Sequence, residues 1–505
     1  MSKPIEKIVI VGGGTAGWMS AASLARYFGD KANNITIIES STLGTVGVGE
    51  ATIPNIVTYN KNLGIDELEL IKATQASFKL GIQFEDWHKE GESFFHPFSD
   101  YGLPVNQVDF HHYIHRANSE GQQYALKDFC FPSVLAKHGN FAQPHPNPPS
   151  PLADYQYAFH FDAGLYAKFL MNFATKLGVN HIDALINDVT VDAKSGEIES
   201  VTLENGQKIK GDLFIDCSGF TGLLIEKALN TGYEDWSHWL LCDRALAVQT
   251  ELMGEPTPYT RSIAKANGWQ WRIPLQHRMG NGYIFASKFQ TEQAAKQVLL
   301  ESVEGKTLNE VRPFKFVPGR RKKVWNKNCI AVGLSSGFLE PLESTSISLI
   351  QSIIDKLLTF FPHSGLNQFD IDEVNRLHNT EVEHVRDFLI LHYKLSKRDD
   401  SEFWRYCQTM DIPESLEHKI GVYQSRGHLI ERECESFEQA SWLSMYNGFG
   451  IQPNSFDPRA SQIPLNDLIN NLNQMKDSID NAAKQALSHQ AFITKHCKAE
   501  EIVFK

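Results

Sequence analysis

The chain opens on a β-branched run, Ile8-Val9-Ile10-Val11, that stops at Gly12-Gly13-Gly14 and gives way to residues 16–27, whose apolar positions recur at helical spacing. A short strand, a tight turn and an amphipathic helix follow from this pattern. A second apolar run at residues 35–38 ends on Glu39 and completes a βαβ unit. Residues 189–210 alternate in short stretches broken at Lys194-Ser195-Gly196 and Asn205-Gly206, two hairpin turns that predict a β-meander. Leu213-Phe214-Ile215 reads as a buried strand closing on the turn Asp216-Cys217-Ser218-Gly219. From residue 347 onward helical spacing dominates, through 360, again from 374 to 391, and again from 465 to 492. Five prolines between residues 143 and 151 remove backbone donors and predict an exposed loop or lid, with a soft boundary there.

Composition narrows the class without changing this outline. With 42% hydrophobic and 21% charged residues the chain is of ordinary globular type, and no run approaches the roughly 18 apolar residues of a membrane span. A net charge of −12 argues against non-specific nucleic-acid binding, which needs a basic surface to displace counterions. The one basic stretch, Arg320-Arg321-Lys322-Lys323, reads as a solvated face. Seven scattered cysteines form no Cys-x-x-Cys pair, so reduced thiols are expected. Charged Lys3, Glu6 and Lys7 leave no room for a signal peptide's apolar core, which predicts a cytoplasmic location. His111 and His115 stand i, i+4 on a helix face, but no third ligand is evident nearby and no metal site is assigned.

Candidate chemistry starts at Gly12-x-Gly14-x-x-Gly17. Glycines there let the backbone approach a pyrophosphate that the following helix N-terminus stabilises, and Glu39, 22 residues after Gly17, is placed to accept hydrogen bonds from a ribose diol. A nicotinamide dinucleotide fits this unit equally well. The meander, the Asp216 turn and the distant stretch Ala331-Val332-Gly333-Leu334-Ser335-Ser336-Gly337 favour FAD, a longer ligand that needs contacts from several chain segments. No second Gly-x-Gly-x-x-Gly is present, so electrons are expected from outside.

Four motifs in order then become specific: Gly12 to Trp18, Val46-Gly47-Val48-Gly49-Glu50-Ala51-Thr52, Trp269-Gln270-Trp271-Arg272-Ile273-Pro274 and Leu339-Glu340-Pro341-Leu342-Glu343-Ser344-Thr345. This set resembles the flavin-dependent halogenases of the tryptophan halogenase family, over roughly residues 5 to 410. The resemblance implies an α/β fold with an FAD-binding, Rossmann-like sheet of glutathione-reductase type, a β-meander and a mostly helical C-terminal substrate region. It places the FAD-binding module in residues 1–350, with substrate-facing insertions near 75–160 and 220–310, and the helical cover in 351–505.

In function, the resemblance implies an oxidoreductase in which reduced FAD and O₂ turn chloride or bromide into hypohalous acid, which travels to a separate aromatic pocket. Lys79 matches the catalytic lysine, acting either through a hydrogen bond to hypohalous acid or as a haloamine. Glu343 matches the second catalytic residue, and Thr345 and Ser346 the halide site, where similar enzymes often carry glycine at the second position. FAD contacts fall on Gly12, Gly14, Thr15, Ala16, Gly17, Glu39, Gly49, Ala51, Val189, Leu334 and Ile347. Trp269, Trp271, Ile273 and Pro274 shield the flavin, and His96, Phe98 and Phe437 face the substrate. Lys79 also reads as partly buried, because Phe78 and Leu80 flank it.

The chain departs from the pattern between residues 423 and 450, where the segment is short, Phe437 stands in place of a tryptophan and the family's tyrosine pair is missing. That departure argues against free tryptophan and for another electron-rich, indole-type aromatic. A separate flavin reductase is the implied partner, and a homodimer is left open. The alternative is a flavin monooxygenase that hydroxylates its substrate directly.

Overall fold

All four side chains of Ile8–Val11 are buried, and the strand lies between two parallel neighbours, Ile35–Glu39 and Leu213–Asp216. Such burial on both faces is what an unbroken apolar run demands. The computed structural model of the chain describes residues 4–43, 49–148 and 150–500, so Val46, Gly47 and Val48 of the second motif lie outside the described residues. The chain divides into two units, one of Met1–Ala76, Phe161–Asp243 and Lys315–Glu383, the other of Ser77–His160, Arg244–Phe314 and His384–Lys505. The boundary expected near residue 350 falls inside the helix Ser346–Thr359, within the first unit.

In the first unit a six-stranded sheet runs in the order Trp325–Asn326, Cys329–Ala331, Leu213–Asp216, Ile8–Val11, Ile35–Glu39, Asn180–Asp183. Only the edge strand Trp325–Asn326 is antiparallel. Register brings Val11 beside both Asp216 and Ile38, and Asp216 beside Ala331, so the carboxyl ends of these strands share one edge. The expected meander is present as Ile186–Val191, Ile198–Leu203 and Lys208–Lys210, turning at Gly196 and Gly206 with φ of +71° and +82°. It packs on the sheet through Ile198, Val201 and Leu203 against Val9, Val11 and Phe214. This is the α/β, FAD-binding type of sheet that the sequence predicts.

The second unit is built on a seven-stranded sheet in the order Arg312–Lys315, Arg244–Thr250, Met279–Phe285, Gly268–Pro274, Thr260–Lys265, Gly81–Glu85, Ser93–Pro97. The tryptophan motif occupies Gly268–Pro274, the central strand of that sheet. Trp271 lies so close over Gly282 that a Cβ there would come within 1.8 Å of the indole. A separate antiparallel pairing sets Ser77 opposite His160 and Lys79 opposite Ala158. The remainder is mostly helical, and no helix among the described residues is long and apolar enough to cross a membrane.

Two local expectations are corrected. The segment 465–492 is two helices, Leu465–Gln485 and His489–His496, because Ser488 caps the second by accepting a hydrogen bond from the Ala491 amide. Arg320 and Arg321 are not a solvated face. Both are buried, Arg320 paired with Glu234 and Glu383 and Arg321 with Glu226, while Lys322 and Lys323 are exposed as expected. The three carboxylates that draw the two arginines inward are remote in sequence, so the local charge run gave no sign of them.

Candidate active site

In the first unit, a candidate site forms where the strands end. Gly12 has φ +107°, and a Cβ there would stand 2.2 Å from the Cys217 carbonyl oxygen; one on Gly17 would stand 1.9 Å from the Gly12 carbonyl oxygen. These two glycines close the turn. Gly14 is different: a Cβ on it would meet nothing within 4 Å, and it precedes the helix Thr15–Phe28 without any side chain capping the free amides. Open space at an uncapped, 14-residue helix N-terminus suits an anionic pyrophosphate. Glu39 sits at the end of the neighbouring strand against Gly13, with one carboxylate oxygen 2.8 Å from His181 Nε2. Burial pushes its acidity toward weaker acid, and the His181 charge opposes that.

Distant segments converge on the same edge. Val332 donates its amide to the Asp216 carbonyl, and Gly333 approaches Ala16 so closely that a Cβ would come within 2.8 Å of the alanine methyl. Half-buried Leu334 follows directly. Ile350, one helical turn after Ile347, packs toward Gly333, which brings the helix Ser346–Thr359 to this edge. Asp216 is fully buried and spends its carboxylate on the amides of Ser218, Leu224 and Ile225, so its part is to hold the turn. Val189 packs on the meander core, and Ala51 is buried on the strand Gly49–Ala51. The donor set and the space at Gly14 fit a flavin dinucleotide.

Glu343 is 1% exposed and ends the turn Pro341–Glu343. The next residue, Ser344, is held at φ +61°, a strained conformation for a residue with a side chain and one that gathers at functional sites. Thr345 follows as the N-cap of Ser346–Thr359, equally buried, and its Oγ1 has no hydrogen-bond partner. An unpaired buried hydroxyl beside uncapped helix amides is chemically suited to a halide.

In the second unit, Lys79 is fully buried, beyond the partial burial that its sequence neighbours suggest, and its ammonium stands 5.1 Å from the centre of the Phe98 ring. A polar relay holds its strand. Thr260 donates to His160 Nε2 at 2.9 Å, His160 Nδ1 donates to Ser77 Oγ at 3.0 Å, and Ser77 donates to the Pro274 carbonyl at 2.6 Å. This proton order follows from the carbonyl, which only accepts. It gives Pro274 a part in positioning the lysine strand. The His160 ring is driven well below its ordinary pKa by burial first and the Lys79 charge second. Phe78 donates its amide to His489 Nε2 at 3.1 Å, and His489 Nδ1 donates to the Pro256 carbonyl at 2.8 Å.

Around His96, which is 2% exposed, lies an aromatic group. Phe388 stands 6.0 Å and Phe437 6.5 Å from it, and these two phenyl rings stack at 4.0 Å with an interplanar angle of 21°. Trp442 meets Phe388 edge-on at 5.0 Å. Phe388 and Trp442 escaped the sequence reading because each sits at an ordinary apolar position of a helix. Trp269 is buried between Trp87 and Trp271 at 6.4 and 6.0 Å, and Ile273 and Pro274 are buried on the same strand. His111 finds its close partners in Asp109 and His112, whose potential ligand atoms lie within 4.8 Å of one another, and not in His115.

Against this geometry, comparison with known proteins is consistent. Residues 7–465 match the tryptophan halogenase family pattern. Tryptophan 7-halogenase RebH of Lentzea aerocolonigenes is 35% identical over 504 residues, covering 92% of this chain and 93% of its own. Among solved structures, BrvH, a flavin-dependent halogenase from Brevundimonas sp. BAL3, superposes with a TM-score of 0.94 at 44% identity, covering 97% of this chain and 99% of that one. Xcc4156, a flavin-dependent halogenase from Xanthomonas campestris, gives a TM-score of 0.96 at 42% identity, covering 99% and 100% of the two chains.

Proposed function

The chain belongs to the tryptophan halogenase family, and from that premise we propose that it halogenates an electron-rich, indole-type aromatic other than free tryptophan, with Lys79 and Glu343 as catalytic residues. It is a flavin-dependent halogenase that uses FAD and a halide, and the hydroxylase alternative falls with that assignment. The observation that carries the residue reading is the full burial of the Lys79 ammonium against the Phe98 ring, in the unit that also gathers His96, Phe388 and Phe437.

Gly12, Gly14, Thr15, Ala16, Gly17 and Glu39 hold the pyrophosphate and ribose in this reading, and Gly49, Ala51, Val189, Leu334 and Ile347 complete the FAD contacts. Bound reduced FAD supplies, with O₂, the two-electron oxidation of halide to hypohalous acid. Thr345 and Ser346 bind the halide through hydroxyl and helix amides. Lys79 hydrogen-bonds the oxygen of hypohalous acid and gives it a proton as the halogen passes to a ring carbon as an electrophile, so that the oxygen leaves as water. Glu343 takes the proton that the ring then releases. Flat, buried side chains at His96, Phe98 and Phe437 hold an aromatic ring without needing a carboxylate or amino group on it. Trp269, Trp271, Ile273 and Pro274 keep substrate from the flavin. A separate flavin reductase supplies reduced FAD, and the enzyme works in the cytoplasm.

Product mass spectrometry with FAD, a flavin reductase, NADH, O₂, bromide and a panel of indole and free tryptophan tests this. Halogenated indole is expected, with tryptophan unreacted. Lys79→Ala and Glu343→Gln should each lower the rate by about a hundredfold or more, the scale of a lost general acid or base. Tryptophan turned over as well as indole would overturn the substrate assignment, and unchanged rates in the variants would overturn the roles.

A further inference from the structure

Trp18, the last residue of the first motif, has no part in the reading above. It is 1% exposed on the helix Thr15–Phe28, and its ring meets the His181 imidazole edge-on at 5.2 Å with an interplanar angle of 74°. His181 lies on the edge strand Asn180–Asp183, beside Ile37 in register, so its side chain shares a face of the sheet with Glu39. Its Nε2 donates to one Glu39 carboxylate oxygen at 2.8 Å, and the Trp18 indole N–H is a second donor to that carboxylate. The carboxylate is thereby pinned against the glycine turn: a Cβ on Gly13 would fall 1.6 Å from its other oxygen.

Three elements remote in sequence thus fix one side chain. A carboxylate offers about four acceptor positions. Trp18 and His181 take two, and two remain, the number that the two hydroxyls of a ribose diol require. Glu39 keeps 20% of its side chain exposed, so a ligand can reach it. Without the imidazole the arrangement has reason to fail. Asp183 stands beside Glu39 in register, and its negative charge opposes that of Glu39, whereas His181 attracts both. A glutamate left to itself there regains its rotamer freedom and swings toward water.

We propose that His181 is a positioning residue for FAD: together with Trp18 it holds the Glu39 carboxylate in the orientation that accepts the adenosine ribose diol. The inference rests on the assignment of Glu39 to the ribose above and adds the groups through which that carboxylate is held. His181 acts only through Glu39.

Flavin fluorescence titration with oxidised FAD tests this on the full chain, in a cycle of wild type, His181→Phe, Glu39→Ala and the double variant. His181→Phe keeps a ring against Trp18 and removes the donor, and should weaken FAD binding about tenfold, the scale of one hydrogen bond to a charged group. In Glu39→Ala protein, already weakened, the same substitution should bring no further loss, because the side chain it acts through is gone. His181→Gln keeps an N–H donor and should restore most of the affinity. Should His181→Phe fail to fold, His181→Leu reads the same loss. Equal losses in both backgrounds would mark a merely structural role and overturn the inference, as would undiminished affinity in His181→Phe. If Glu39→Ala itself binds FAD as wild type does, the ribose assignment falls and the inference with it; if only the His181 substitutions are silent, the ribose assignment stands and the inference alone is lost.

Discussion

A histidine outside the proposed chemistry sets a pH limit on the strand that carries Lys79. His489 is 1% exposed and uses both ring nitrogens, one accepting from Phe78 and one donating to Pro256. A second proton would expel the Phe78 amide, and burial lowers the ring's pKa to about 4. The unfolded chain takes up that proton near pH 6.5, so between pH 6.5 and 4 the unfolded state binds more protons. The contribution of His489 to stability is therefore complete above 6.5 and lost as pH falls toward 4, by up to about 3 kcal/mol. Urea unfolding midpoints across this range should show it, and His489→Gln should flatten the decline. A slope unchanged in the variant would assign the acid sensitivity to other groups. His160 leans the same way, since burial and the Lys79 charge both disfavour its protonation.

At the scale of elements, the glycine turn separates fold from ligand binding. Ala at position 17 would press its methyl on the Gly12 carbonyl, which is backbone and has nowhere to go, so Gly17→Ala should cost about 1–3 kcal/mol. Gly14 has φ −73° and open space around it, so Gly14→Ala should fold as well as wild type within about 0.5 kcal/mol and yet lose affinity for FAD. Thermal unfolding of the ligand-free protein beside a flavin fluorescence titration distinguishes the two. This turn was legible in the sequence because strand, glycines and helix are contiguous and each obeys a local rule. The surroundings of Lys79 were not. Its strand is three residues long, and the groups that fix it, His160, Thr260, Pro274 and His489, are spread over the chain. The same blindness made a solvated patch of Arg320 and Arg321, whose partners at 226, 234 and 383 no local pattern points to.

For the whole molecule, the proposed function has reduced flavin arrive by diffusion from a separate reductase. Exchanging one flavin reductase for an unrelated one, at equal concentrations of reduced FAD, should leave the halogenation rate unchanged. A rate that follows the identity of the reductase would reveal a docking partner. The two units are interleaved along the chain, each drawn from three stretches. The bond from Phe78 to His489 spans 411 residues and reaches beyond residue 465, where the family pattern stops. During synthesis, then, the strand that carries Lys79 waits unfinished until residue 489 has left the ribosome. A contact of such long range makes for slow folding and a long exposure of apolar surface. Expression yield should consequently depend on growth temperature and chaperone supply more than the stability of the finished protein would suggest.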